Sequence, residues 1–278
     1  MTLVVIATPR DVAAQGKGRP KNPRATTANT TTPGQAGPST GRGQSVPLVF
    51  RQYGSWLDDA STVAAGRGWT GVGIGYWRAP GGSQLDVPML DVGVGLAPRV
   101  QAAAWVPFYH VDYGGTTARG LDDVYLSAKV MALDAENQPV GLAVTPILEV
   151  LSAGSGPDGR LHWALPVSVE LRRGAYRLYG SAGYFSRGAV FTGGAVEYTA
   201  RAGTSITGAV TQSRSTSEST TALAGGRQRV DASLGIAHPV AEAASLWASV
   251  GRTLTSITDG GTSLALTGGV TLRFSTGQ

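Results

Sequence analysis

Across 278 residues this chain carries 42% hydrophobic but only 15% charged residues, and it has no cysteine. Soluble domains usually carry about 25% charged residues, so the deficit points to a surface that does not face water alone. The apolar share excludes a wholly disordered chain, and the missing thiols exclude a disulfide framework or a thiolate metal site.

The formal net charge is +5, and its location removes nucleic acid as a partner. Arg10, Lys17, Arg19, Lys21, Arg24 and Arg42 face only Asp11 within residues 1–47, while residues 48–278 balance 17 basic against 17 acidic side chains. No apolar run reaches 18 residues, which excludes a transmembrane helix. A barrel strand needs only about ten alternating residues, so a membrane is not excluded.

In chain order, residues 2–7 (TLVVIA) form a short apolar run, followed by Val12, Ala13 and Ala14. A secretion signal has a basic start, roughly 7–15 apolar residues and a small-residue cleavage site. Residues 1–15 lack the basic start but end acceptably for cleavage. They are expected to be the back half of a signal whose start lies upstream. Residues 16–60, rich in Pro, Gly and Thr, predict a disordered linker. Residues 61–278 are expected to fold.

From about residue 68 the pattern is period two. In residues 262–274 (TSLALTGGVTLRF), Leu264, Leu266, Val270, Leu272 and Phe274 alternate with Ala265, Thr267, Thr271 and Arg273. Side chains alternate faces along a strand, so one face is apolar and the other small or polar. The same alternation places strands near 68–78, 85–96, 99–109, 121–132, 140–151, 161–171, 175–185, 188–198, 203–213, 227–237, 244–255 and 262–274. That is twelve, the even number a bacterial single-chain barrel needs. Ten to thirteen residues suit a tilted membrane crossing and exceed the globular mean of about 5–6. The expected fold is all-β: a transmembrane, antiparallel, up-and-down barrel in outer-membrane lipid.

The connections give a further test, because such barrels alternate short periplasmic turns with longer outer loops. Residues 97–98 and 172–174 read as tight turns, and residues 110–120 and 214–226 as long loops. This arrangement puts both termini in the periplasm. Trp69, Tyr76, Trp77, Tyr109, Tyr125, Trp163, Tyr176, Tyr184 and Phe274 lie mostly near strand ends, where interfacial girdles sit.

Two stretches resemble known proteins. The ending TLRF resembles the last strand of outer-membrane proteins, and the resemblance implies that Phe274 is the aromatic recognised by the barrel-insertion machinery, although four residues follow it here. Residues 120–133 (GLDDVYLSAKVMAL), the strand VGLAVTPILEVLS and the preceding LAPRVQAAAWVP are similar to the outer-membrane family linked to meta-pathway phenol degradation. That resemblance implies a transport channel with no catalytic residue to carry over.

Enzyme signatures are missing: there is no GxxxxGK[ST], HExxH or CxxC. No catalytic residue, metal site or cofactor is expected. Of the histidines, His110 and His238 fall in or beside loops. His162 shares a face with Ser168, six residues away and too far along one strand for a direct hydrogen bond. The charges expected to line the lumen are Asp91, Lys129, Glu149, Glu170, Arg172, Arg177, Glu197, Arg229, Asp231 and Arg273. Inside a barrel they must be paired or hydrated, and they line a water path or form a salt-bridge plug. About sixteen strands mark the wide channels, so a narrow, partly obstructed lumen is expected. The function expected is a channel or uptake protein for small solutes, hydrophobic or aromatic ones included. The alternative is a barrel with a non-transport role, a lipid-modifying hydrolase or an adhesive surface protein.

Overall fold

The computed structural model describes residues 56–151, 160–216, 228–255 and 261–276. The expected signal segment 1–15 lies outside these residues, as does the linker up to residue 55. Among the described residues, β1 (Arg67–Ala79), β2 (Gly82–Ala97) and β3 (Val100–Tyr113) are followed by β4 (Thr116–Leu121) and β5 (Val124–Leu133). Then come β6 (Gly141–Val144), β7 (Ile147–Val150), β8 (Leu161–Ala164) and β9 (Val167–Arg173). The last six are β10 (Tyr176–Phe185), β11 (Ala189–Thr199), β12 (Ser205–Ser215), β13 (Gln228–Ala241), β14 (Ala244–Thr253) and β15 (Leu264–Ser275).

Each strand pairs antiparallel with its neighbours, and β1 closes the sheet on β15, with Val72 opposite Val270. Three crossings are each split into two strands: β4 with β5, β6 with β7, and β8 with β9. The result is a closed barrel of twelve staves, as the sequence pattern predicts.

Proline explains the breaks. It has no N–H to give to a ladder, and Pro146 and Pro166 sit in the gaps within the fifth and sixth staves. Their carbonyls still accept, Pro146 from Ala128 N at 3.0 Å and Pro166 from Thr145 N at 3.0 Å. The gap in the fourth stave faces Pro107, whose carbonyl accepts from Asp122 N at 2.9 Å. Beside it, the ladder between β2 and β3 slips between Asp86 and Met89, at Pro88.

The partition across the wall is inverted relative to a soluble protein. Leu178, Val196, Val210 and Leu234 are 45–55% exposed on the outside, while Ser168, Glu170, Thr207 and Asp231 are buried on the inside. Apolar area turned outward is stable only against an apolar solvent, and closing the barrel leaves no unpaired edge within it.

Two expectations need correction. Residues 110–120 are not a loop, because β3 and β4 continue as a hairpin to a tight turn at Gly114 and Gly115, both with positive φ. Two such residues are what a type I′ hairpin turn requires. The girdle is also smaller than expected. Trp69, Trp77 and Tyr125 are buried on the inside, while Trp163, Tyr176, Tyr184 and Phe274 are on the outside. The loop expected at 214–226 is described only to Thr216, where β12 has just ended.

Candidate functional site

Residues 56–65 precede β1 without joining the main ladder, and they form a strap against the inner wall. At the rim, Ala65 makes a single parallel bridge to Gly95. Gly66 then donates to the Gly95 carbonyl at 3.0 Å. A Cβ on Gly95 would collide with the Val63 and Ala64 carbonyl oxygens, so glycine is what lets the strap lie this close.

From the rim the strap climbs by side-chain contacts. Val63 N donates to Gln101 Oε1 at 2.9 Å, and Lys129 Nζ donates to the Ser61 carbonyl at 3.1 Å. Ala60 N donates to Glu170 Oε2 at 3.1 Å. Asp59 is fully buried. It accepts from Lys129 Nζ at 3.2 Å and pairs with the Arg177 guanidinium. Asp58 pairs with the same lysine at 2.9 Å. Both ion pairs of Lys129 among the described residues are therefore made by the strap.

Further along, the strap ends in two apolar sockets. Trp56 is buried among Tyr125, Ile147, Ala164, Phe185, Ala189 and Phe191, with Trp105 packed beside them. Its ring centroid lies 6.0 Å from that of Tyr125, within the range of favourable aromatic pairs. Leu57 sits with Tyr179, Ala195 and Ala209. The Ser181 hydroxyl donates to the Trp56 carbonyl. Residues 56–60, which composition assigns to the linker, thus belong to the folded part; with no ladder to alternate against, they carry no period.

The expected lumen charges divide into separate groups. Arg177 joins the strap to Glu170 at 2.8 Å and to Glu197 at 3.3 Å. Half-buried Arg172 pairs with Glu170 at 2.6 Å and with Glu136 at 3.1 Å. Glu149 pairs with Arg187 at 2.6 Å and accepts from the Tyr125 hydroxyl at 2.7 Å. On the far side, Arg229 grips Asp231 at 2.7 Å and donates to Thr262 at 2.9 Å. Asp91 accepts from Trp69 Nε1 at 3.0 Å, and Arg273 is exposed near the end of β15. Sequence reasoning missed Asp58, Asp59 and Trp56. The one signal pointing to them is the sequence WLDD, apolar and acidic, at the end of a basic polar tail.

His162 and Ser168 are both buried on the inside. Among the described residues no hydrogen bond joins them, and the Ser168 hydroxyl has no partner. No group of three or more His, Cys, Asp or Glu able to hold a metal occurs among the described residues.

The fold and site together define a closed, twelve-stave membrane barrel with an internal strap, and solved structures share the fold. An outer-membrane channel of Pseudomonas putida F1 superimposes with a TM-score of 0.60 at 15% identity, over 78% of this chain and 98% of that one. The NanC porin gives 0.52 at 10% identity, over 74% and 100%. The KdgM porin, solved in complex with disordered oligogalacturonate, gives 0.52 at 10% identity, over 73% and 99%. These likenesses show the fold of outer-membrane barrels. No protein-family model matches the sequence, and a search of curated proteins finds no relative.

Proposed function

We propose that this protein is an outer-membrane channel for small solutes, hydrophobic or aromatic ones among them, held shut at rest by residues 56–65. The observation that carries the reading is the strap itself. It lies inside a closed barrel yet is held by side chains and one bridge, so it can leave without breaking the wall. Titratable and polar side chains line the wall behind it, as selectivity groups do in channels.

Several features support placing both termini in the periplasm. At the terminal end of the barrel the connections 98–99, 174–175 and 242–243 are two residues each, with 134–140 and 200–204 longer. The opposite end carries the longest, 151–160, 216–227 and 254–263, beside tight turns at 80–81, 114–115 and 186–188. Short turns are periplasmic in barrels of this kind. Phe274 lies outward over Gly68, a position open to recognition by insertion machinery before closure. The resemblance to the phenol-degradation family favours aromatic solutes.

The test is conductance in planar bilayers, with folding first established by a band that shifts on boiling. Asp59→Asn removes the charge that Lys129 and Arg177 grip. The wild type is expected to conduct rarely, and D59N to stay open several times more of the time. If neither folded protein conducts, the channel reading falls.

A further inference from the structure

The strap places two chemical groups against the wall: an indole ring in an aromatic socket, and carboxylates on two cations. We propose that this part of the wall is a binding site for an aromatic carboxylate with a flexible linker between ring and acid, and that the strap is its built-in competitor. The inference rests on the channel reading for its purpose but is tested by binding.

The socket is suited to a planar ring. Trp105 and Tyr125 stand 5.6 Å apart with their planes at 46°. Phe185 and Phe191 stand 5.3 Å apart at 50°. Ring edges and faces are thus both presented, which favours an aromatic guest over an aliphatic one of equal area. The anion subsite follows from the ion pairs. With the strap gone, Lys129 loses both Asp58 and Asp59, and Arg177 loses Asp59. Arg177 keeps Glu170 and Glu197 on the wall, so Lys129 is the cation left uncompensated. A buried charge without a partner is costly, and a solute carboxylate would be drawn to the position beside it. Buried Tyr179, whose ring lies 5.0 Å from the Arg177 guanidinium, has a hydroxyl with no partner among the described residues. It is a spare donor beside the cation.

The register sets the length of the guest. Tyr125 and Lys129 are inward positions four residues apart on β5, about 13 Å along a strand. Arg177 and Ser181 bracket the same interval on β10. The flexible lysine shortens the gap, so a linker of about five methylenes between ring and acid spans it. Benzoate is too short.

The experiment is calorimetric titration of the full chain in detergent with 6-phenylhexanoate, with 6-phenylhexanol and octanoate as probes lacking the charge or the ring. A site occupied by its own chain binds with an affinity reduced by the fraction of time it is free. Trp56→Ala is therefore expected to tighten 6-phenylhexanoate by about tenfold or more relative to wild type, with phenylhexanol and octanoate both weaker. If W56A gives no heat-modifiable band, D59N, whose socket is intact, is expected to shift affinity in the same direction. Equal binding of acid and alcohol, or no gain in whichever variant folds, overturns the proposal. A D59N protein that conducts but binds no better leaves the channel standing and removes this site alone.

Discussion

The two sides of this barrel solve the problem of a polar interior differently. From the third stave to the eighth, the inner wall carries aromatic rings, Lys129, Glu170, Arg177 and Glu197, and the chain returns to fill it with its own strap. From the tenth stave round to the first, the inner wall is mostly Gly, Ser and Thr around Trp69, Trp77 and Trp247, and its buried charges are satisfied locally. Arg229 and Asp231 are two residues apart on one strand, and Thr253 on the neighbouring strand donates to Asp231 at 2.6 Å. On the proposed reading, a charge whose partner lies in the wall is structural, and a charge whose partner lies in the strap can be traded for a solute. The location of the partner, rather than the charge itself, then separates wall from proposed gate.

The sharpest way to break that comparison is to remove a cation on the local side. Arg229→Ala strands Asp231 in a buried position, and losing one partner of a buried pair costs about 3–5 kcal/mol. The expected result is a lower midpoint of urea unfolding in liposomes, with gating in the surviving folded protein unchanged. D59N is expected to do the reverse. If R229A opened the channel as readily as D59N, the two sides would not differ in kind.

The outer wall gives the next effect in size. Val210 is half-exposed on the outside, level with Gly194 and Ala232 on its two neighbours. Val210→Arg puts a charge against lipid, at a cost of about 2–4 kcal/mol near the bilayer midplane. Thr211→Ala, its inward neighbour, is expected to cost far less by the same unfolding measurement. Similar costs at both positions would contradict the assignment of faces.

That assignment was legible in sequence because the membrane enforces it. Outward positions within the lipid band are predominantly apolar, so the period-two signal survives in each stave, including those that proline breaks. Residues 110–120 read as a loop in the sequence because β4 is exposed throughout. A strand that no longer faces lipid has no apolar face to declare itself, and HVDYGGTTARG looks like a loop. The inward charges were found by alternation alone, but their partners were not. Asp58 and Asp59 lie on a segment without period, and Asp59 is joined to residues 70 and 118 positions away. Nothing local in the sequence records such a contact. Trp69 and Trp77 look like girdle residues in the sequence because they lie near a strand end, but parity, not position, fixes the face.

The smallest effect tests the claim that the quiet side is held together from within. Ser249 and Thr267 face inward on adjacent staves, and their hydroxyls lie 2.7 Å apart. Ser249→Ala leaves the Thr267 hydroxyl buried without this partner, a loss of about 1 kcal/mol. The expected result is a small fall in unfolding midpoint and unchanged conductance, since no contact of the strap with either residue is seen among the described residues. A conductance change from so slight an alteration would mean that the solute path runs along this wall. The hydroxyls would then have to be counted with the gate.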